Sequence, residues 1–192
     1  MKRHELVGYD EASPATRVIY DDFLRSTGST TVPYWLRSLG ATPDLLSAYW
    51  ERTKGSLLRG SLPMVLKEMV IFVVSVENGS RYCSACHAHA VLNLDPSLKF
   101  EQLMSLTEPG DQSAGLPESY RVALDFAVAA ARNANDLDDA AFERLRDADF
   151  SDQEVLELLS LINLAVMFNS YTSSSRIPLD PEYRPVLEPV AA

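Results

Sequence analysis

A chain of 192 residues can bury a substantial core as one domain, and its 46% hydrophobic and 23% charged content is that of an ordinary globular protein. Seventeen Lys and Arg against 27 Asp and Glu leave a net charge of −10 with no basic run of the phosphate-binding kind, so nucleic acid is not an expected partner. The start, MKRHELVGYD, lacks the apolar stretch of a secretory signal, and the longest strongly apolar run, MVIFVVSV (69–76), is too short to span a bilayer. The sequence therefore reads as a cytoplasmic protein with no membrane partner.

Most of the chain reads as helix. Ser13-Pro14 is an N-cap followed by proline at the first helical position, opening a helix that ends near Gly28. Thr42-Pro43 repeats the signal before a second helix ending near Gly55, and Ser61 is the expected cap of a third over about 62–78, closed by Gly79. MVIFVVSV is rich in β-branched residues and could be a buried strand. Its flanks extend the pattern to helical length and no second strand is evident, so a central core helix is expected. Ser80 then caps RYCSACHAHAVLNL, which stops before Asp95-Pro96, and a short helix follows at about 97–106. TEPGDQSAGLP (107–117) is the clearest loop. Beyond it come ESYRVALDFAVAAARNAN, DLDDAAFERLRDA and a last long helix opened by the Ser151/Glu154 capping box. The tail, IPLDPEYRPVLEPVAA, is proline-rich and reads as extended. The expected fold is an all-α bundle of roughly eight helices in a single domain over 1–192. N-terminal helices occupy about 1–60, a central pair about 61–110, C-terminal helices about 115–175, and the tail 176–192.

RYCSACHAHA (81–90) holds both cysteines and two of the three histidines. Two cysteines this close in a cytoplasmic chain suit redox chemistry or metal binding better than a structural disulfide. With Ser80 as N-cap, Cys83 falls in the first turn, where unpaired N–H groups and the helix dipole favour a thiolate. Its pKa is then expected to lie below the free value of about 8.5. Cys86 and His87 lie one turn on and share that face, whereas His89 is offset from His87 by about 200° and points elsewhere. Glu68 stands alone in the apolar helix before. The turn at Asn78-Gly79-Ser80 lets the two helices pack side by side, so Glu68 could reach His87 or the thiol as a proton relay. Plainer roles are also open to these residues: a core cysteine, a backbone-satisfied histidine, Ser80 as a simple cap and Tyr82 as packing. Trp35 and Trp50 read as core or oligomer contacts rather than substrate walls.

A zinc site is disfavoured. One helix cannot easily wrap Cys83, Cys86, His87 and His89 around an ion, and the only other histidine is His4. A thioredoxin-like reading lacks its βαβ context. No metal or cofactor is expected.

The run from Glu68 through Ser75-Val-Glu-Asn-Gly-Ser80-Arg-Tyr-Cys83-Ser-Ala-Cys86-His87 resembles the core motif of the alkylhydroperoxidase AhpD/carboxymuconolactone decarboxylase superfamily, nearest to its peroxidase-related, AhpD-like members. The family pattern is a Glu followed twelve residues later by Cys-x-x-Cys-x-x-x-His, usually after Asn-Gly. Glu68 matches the Glu, Cys83 the second cysteine and His87 the histidine, while Ser80 stands where the first cysteine belongs. FNSYTSSSRIPLD (168–180) resembles the family's asparagine-bearing last core helix and its exit, so the likeness spans roughly 45–180.

The resemblance implies an AhpD-like helical bundle, a homo-oligomer (dimer, trimer or hexamer) and thiol-dependent reduction of a hydroperoxide by an unidentified thiol reductant. In it, Cys83 is the peroxidatic cysteine and Glu68 and His87 relay protons. Ser80 cannot form the family's disulfide. Cys86, one turn from Cys83, is an in-sequence substitute for the resolving thiol. Two other readings stand beside this one. One is a decarboxylase-like lyase in which His87 and Glu68 act on a small lactone or acid. The other is a non-enzymatic member of the fold with a decayed site.

Overall fold

In the computed structural model, which describes residues 5–108 and 115–187, the regular elements are all helical and no strand occurs among the described residues. Eight helices have six residues or more: α1 (Pro14–Thr27), α3 (Pro43–Thr53), α4 (Met64–Glu77), α5 (Arg81–Leu94), α6 (Phe100–Ser105), α7 (Glu118–Asn133), α8 (Asp139–Asp147) and α9 (Asp152–Ser175). Two shorter ones, α2 (Tyr34–Ser38) and α10 (Arg184–Leu187), have no counterpart in the sequence reading. The expected all-α architecture is the observed one. Part of the expected 107–117 loop lies outside the described residues, as does His4.

Local chemistry explains most helix ends. The Ser13 hydroxyl accepts the Thr16 N–H at 3.2 Å, and Gly28 closes α1 at φ 71°, a left-handed geometry open to glycine. At α9 the capping box forms in full, with Ser151 and Glu154 each bonding the other's backbone N–H. Two expected boundaries move. The second helix does not stop at Gly55: it continues as a π-helical turn over Lys54–Leu58, which brings Leu57 and Leu58 round to the interior. Ser61 is not a cap. The helix starts after Pro63, and the Ser61 and Leu62 N–H groups donate to the Glu157 carboxylate of α9 at 2.9 and 3.1 Å.

The ambiguous apolar run is helix. α4 is buried from Leu66 through Ser75 and packs against α5, α7 and α9, so it needs apolar residues on every side. Even Lys67 is buried, its Nζ donating to the Arg59 carbonyl. Gly79, at φ 65°, reverses the chain and lays α5 alongside α4. By length and composition α9 could cross a membrane; here it lies against α4, α5 and α7, with Leu158, Leu161, Leu164 and Ala165 buried.

Buried residues form two groups. One centres on α4, α7 and α9. The other gathers the N-terminal helices around Tyr20, Trp35, Leu46 and Trp50 and includes Tyr82 and Cys83, with Phe168 packed against both groups. The tail is not simply extended. After Arg176 it forms a 3-10 turn at Pro181–Tyr183 and then α10, and both contact α5.

Candidate active site

The hairpin of α4 and α5 brings Glu68 to His87: Nδ1 of the imidazole and Oε2 of the carboxylate lie 2.6 Å apart. With Glu68 ionised, Nδ1–H is the donor, which leaves Nε2 as the ring nitrogen for proton exchange. Cys83 lies four residues before His87 on the same helix and is only 3% exposed. Its Sγ is 3.4 Å from the Thr172 hydroxyl of α9. Cys86 is half-buried, and the Tyr183 hydroxyl donates toward its sulfur. Both thiols are free.

Glu68, Tyr82, Cys83, Cys86 and His87 all line one cavity of about 150 Å³. Its other walls are mostly apolar, with Phe23, Trp35, Trp50, Ile71 and Phe168 among them beside three threonines, and no Lys or Arg lines it among the described residues. Trp35 meets Phe168 edge-on at 4.8 Å between ring centres, and Trp50 is held by an Nε1–H bond to Asp22 at 2.7 Å. The two tryptophans are thus core residues and cavity walls at once. His89 lies outside the cavity, its ring against Tyr183, as the helical offset requires. No group of three His, Cys, Asp or Glu side chains suited to a metal ion occurs among the described residues.

Two expectations about single residues change. Ser80 does occupy the N-cap position of α5, but its side chain caps nothing: it is fully buried and its hydroxyl lies 3.3 Å from that of Thr172. The Cys83 thiol is not depressed. Burial pushes its pKa above the ordinary value, and bonds to Thr172 and Ser80 offset that only in part. The helix N-terminus favours an anion in principle, but the enclosing apolar walls withdraw the water that would solvate it. Burial and the nearby Glu68 carboxylate push the Cys86 thiol up further still, against the pull of the Tyr183 bond.

Tyr82 does more than fill space. Its hydroxyl donates to Asp180 Oδ2 at 2.5 Å and accepts the Trp35 N–H at 3.4 Å, while Asp180 Oδ1 accepts the Tyr34 N–H at 2.9 Å. These bonds pin the tail across the site and set Tyr183 beside Cys86. Sequence reasoning passed over Thr172, Asp180 and Tyr183. FNSYTSSSRIPLD was noted as a segment, and its helical spacing puts Phe168 and Thr172 on one face, but nothing local says that this face meets α5.

The sequence model of the carboxymuconolactone decarboxylase family matches residues 43–95, which carry Glu68, Ser80, Cys83, Cys86 and His87. An uncharacterized peroxidase-related protein from Ralstonia eutropha JMP134, an alkylhydroperoxidase AhpD core, superimposes with a TM-score of 0.81 at 20% identity, over 94% of this chain and 93% of that one. The chain thus carries the carboxymuconolactone decarboxylase family's pattern over residues 43–95 and shares the AhpD-like fold. A second uncharacterized peroxidase-related protein, from Silicibacter sp. TM1040, matches with a TM-score of 0.77 at 26% identity, over 90% of each chain. The debrominase Bmp8, in complex with 2,3,4-tribromopyrrole, matches with a TM-score of 0.77 at 21% identity, covering 92% of this chain and 91% of its own. No curated protein matches the chain. The AhpD-like fold therefore carries several named activities, and the site must decide among them.

Proposed function

We propose that this AhpD-like protein reduces hydroperoxides at the expense of thiols, with Cys83 as the nucleophile. The observation that supports this most directly is one apolar cavity lined by a thiol, an imidazole and the carboxylate bonded to that imidazole. His87 Nε2 takes the Cys83 proton while Glu68 holds the ring and stabilises its positive charge. The thiolate attacks one peroxide oxygen: the S–O bond forms, the O–O bond breaks, and His87 returns the proton to the departing alkoxide. The products are an alcohol and a Cys83 sulfenic acid. Attack by the Cys86 thiol then forms an S–S bond and releases water, and an external thiol reductant restores both cysteines. No metal or organic cofactor takes part.

A cavity with mostly apolar walls and the Glu68 carboxylate in its lining suits an uncharged hydroperoxide better than a small carboxylic acid, which favours peroxide reduction over the lyase reading. The same aromatic walls and thiol favour one second reading, thiol-dependent reductive debromination of a small haloaromatic. In it bromide leaves, a proton replaces it on carbon, and two thiols become a disulfide.

The deciding experiment follows peroxide-dependent oxidation of a donor thiol by the parent, Cys83→Ser, Cys86→Ser and His87→Ala proteins. Loss in all three variants is expected, together with a Cys83–Cys86 disulfide in mass spectra after stoichiometric peroxide. Activity that survives Cys86→Ser means direct resolution by the external thiol. No activity in any protein, with bromide released from 2,3,4-tribromopyrrole by the parent alone, selects the second reading. Inertness in both assays returns the chain to a non-enzymatic role.

A further inference from the structure

The Cys83 sulfur has two hydroxyl neighbours for which the scheme above has no task. Ser80 is the more unexpected. A serine at an N-cap ordinarily accepts a backbone N–H from the first turn of its own helix. Ser80 forgoes that bond, is fully buried, and turns its hydroxyl to Thr172 Oγ1 at 3.3 Å. Thr172 is 2% exposed, and the same Oγ1 lies 3.4 Å from Cys83 Sγ.

A threonine hydroxyl carries one hydrogen and two lone pairs. Here the hydrogen goes to the Phe168 carbonyl at 2.8 Å, so Oγ1 faces Ser80 and Cys83 as an acceptor. That suits a protonated thiol, which donates S–H. A thiolate has nothing to donate and needs donors. The Phe168 carbonyl belongs to the interior of α9, where the helix's own ladder also serves it, so the Thr172 hydrogen can turn to sulfur without stranding a buried acceptor. Ser80 then donates to Thr172 and keeps the chain of bonds complete.

We propose that Thr172, backed by Ser80, is a reversible hydrogen-bond partner of Cys83, accepting from the thiol and donating to the thiolate and to the sulfenate oxygen formed from it. The residue in the first-cysteine position thus belongs to a relay of hydroxyls, and Thr172 is a catalytic residue in the sense that it touches the reacting sulfur. Burial raises the thiol and both hydroxyls oppose it, in keeping with this role. The other titratable groups around the cavity are Tyr82, Cys86 and His87 on α5, Glu68 on α4, and Asp180 and Tyr183 in the tail that crosses it.

The inference rests on Cys83 as nucleophile, but its test does not need the peroxidase activity. In a Cys86→Ser background, the rate of Cys83 alkylation by iodoacetamide is measured against pH. Thr172→Val, nearly the same shape without the hydroxyl, is expected to raise the alkylation midpoint by about one to two pH units and to slow alkylation at neutral pH about ten-fold or more. Thr172→Ser is expected to restore the parent profile, and Ser80→Ala to shift it in the same direction by less. Far-UV circular dichroism and thermal melts confirm that each variant is folded. An unchanged midpoint in folded Thr172→Val overturns the proposal. So does a Thr172→Ser profile that moves as far as the valine one, since the missing methyl would then be the cause. The expected shifts in a protein that ignores peroxide would support the hydroxyl relay and remove the peroxidase reading alone.

Discussion

Glu68 sits in the most apolar helix of the chain and is 8% exposed, a position a carboxylate holds only with a partner. His87 is that partner, and in the proposed reaction this pair carries the proton. His87→Ala is expected to lower kcat/KM for a hydroperoxide by about 10²–10⁴-fold, the usual scale of general acid–base assistance. Glu68→Gln keeps a hydrogen bond but not the charge, so a smaller loss of about ten-fold is expected in steady-state kinetics. The thiols show the opposite tension, between a helix end that favours an anion and a dry cavity that does not. Both thiols are raised, so the stability they contribute is full below the ordinary thiol range and is lost as pH rises through their folded values. Cys86→Ser should therefore lose less melting temperature than the parent between about pH 8 and about pH 10, by differential scanning calorimetry.

Among the elements, the start of α4 shows how a tertiary contact fixes the chain entering a helix. α4 has no side-chain cap of its own; the Glu157 carboxylate from α9 takes the N–H groups of Ser61 and Leu62. Gly60 makes this possible, because at φ 97° with the carboxylate against its Cα it has no room for a β-carbon: an added one would sit 2.4 Å from Glu157. Gly60→Ala is expected to destabilise by about 1–3 kcal/mol or more in urea titrations, from backbone strain and from displacing Glu157. Burial pushes the Glu157 carboxyl up, but the Leu62 and Ser61 N–H bonds and the Gln153 amide outweigh it and leave it below its ordinary value. Its contribution is therefore present above the ordinary carboxyl range and lost as pH falls through the lowered value. Glu157→Gln is expected to cost about 1–2 kcal/mol at neutral pH and less in acid. The identity and order of the eight longer helices were legible in advance because 3.6-residue periodicity and caps are local. The delayed start of α4 and the π-helical turn were not, because each answers to a helix distant in sequence.

Across the whole molecule, the tail closes the site through one buried carboxylate. Asp180 is 3% exposed, and burial raises its pKa despite the bonds from Tyr82 and Tyr34. The sign follows from the raised value: Asp180 stabilises the docked tail most below the ordinary carboxyl range, and this is lost as pH climbs through the folded pKa. Asp180→Asn, neutral throughout and still able to accept the Tyr82 hydroxyl, is expected to flatten the fall in melting temperature across mildly acidic to neutral pH. An unchanged slope would mean the tail is held by other contacts.

The sequence alone determined the eight longer helices, the turn between α4 and α5, and the grouping of Glu68, Cys83, Cys86 and His87, because hairpin geometry and the spacing of residues along one helix follow from neighbours in the chain. It also marked Ser80 as the departure from the family pattern. Only the tertiary structure decided what that departure faces. Thr172 lies 92 residues from Ser80 and meets it through the packing of α9 on α5. Tyr183 and Asp180 reach the cavity by a tail whose local sequence reads as extended. The direction of the Cys83 pKa shift was likewise beyond local reasoning. The dipole of its own helix can be read from sequence, but desolvation is set by every wall of the cavity together, and here the walls prevail.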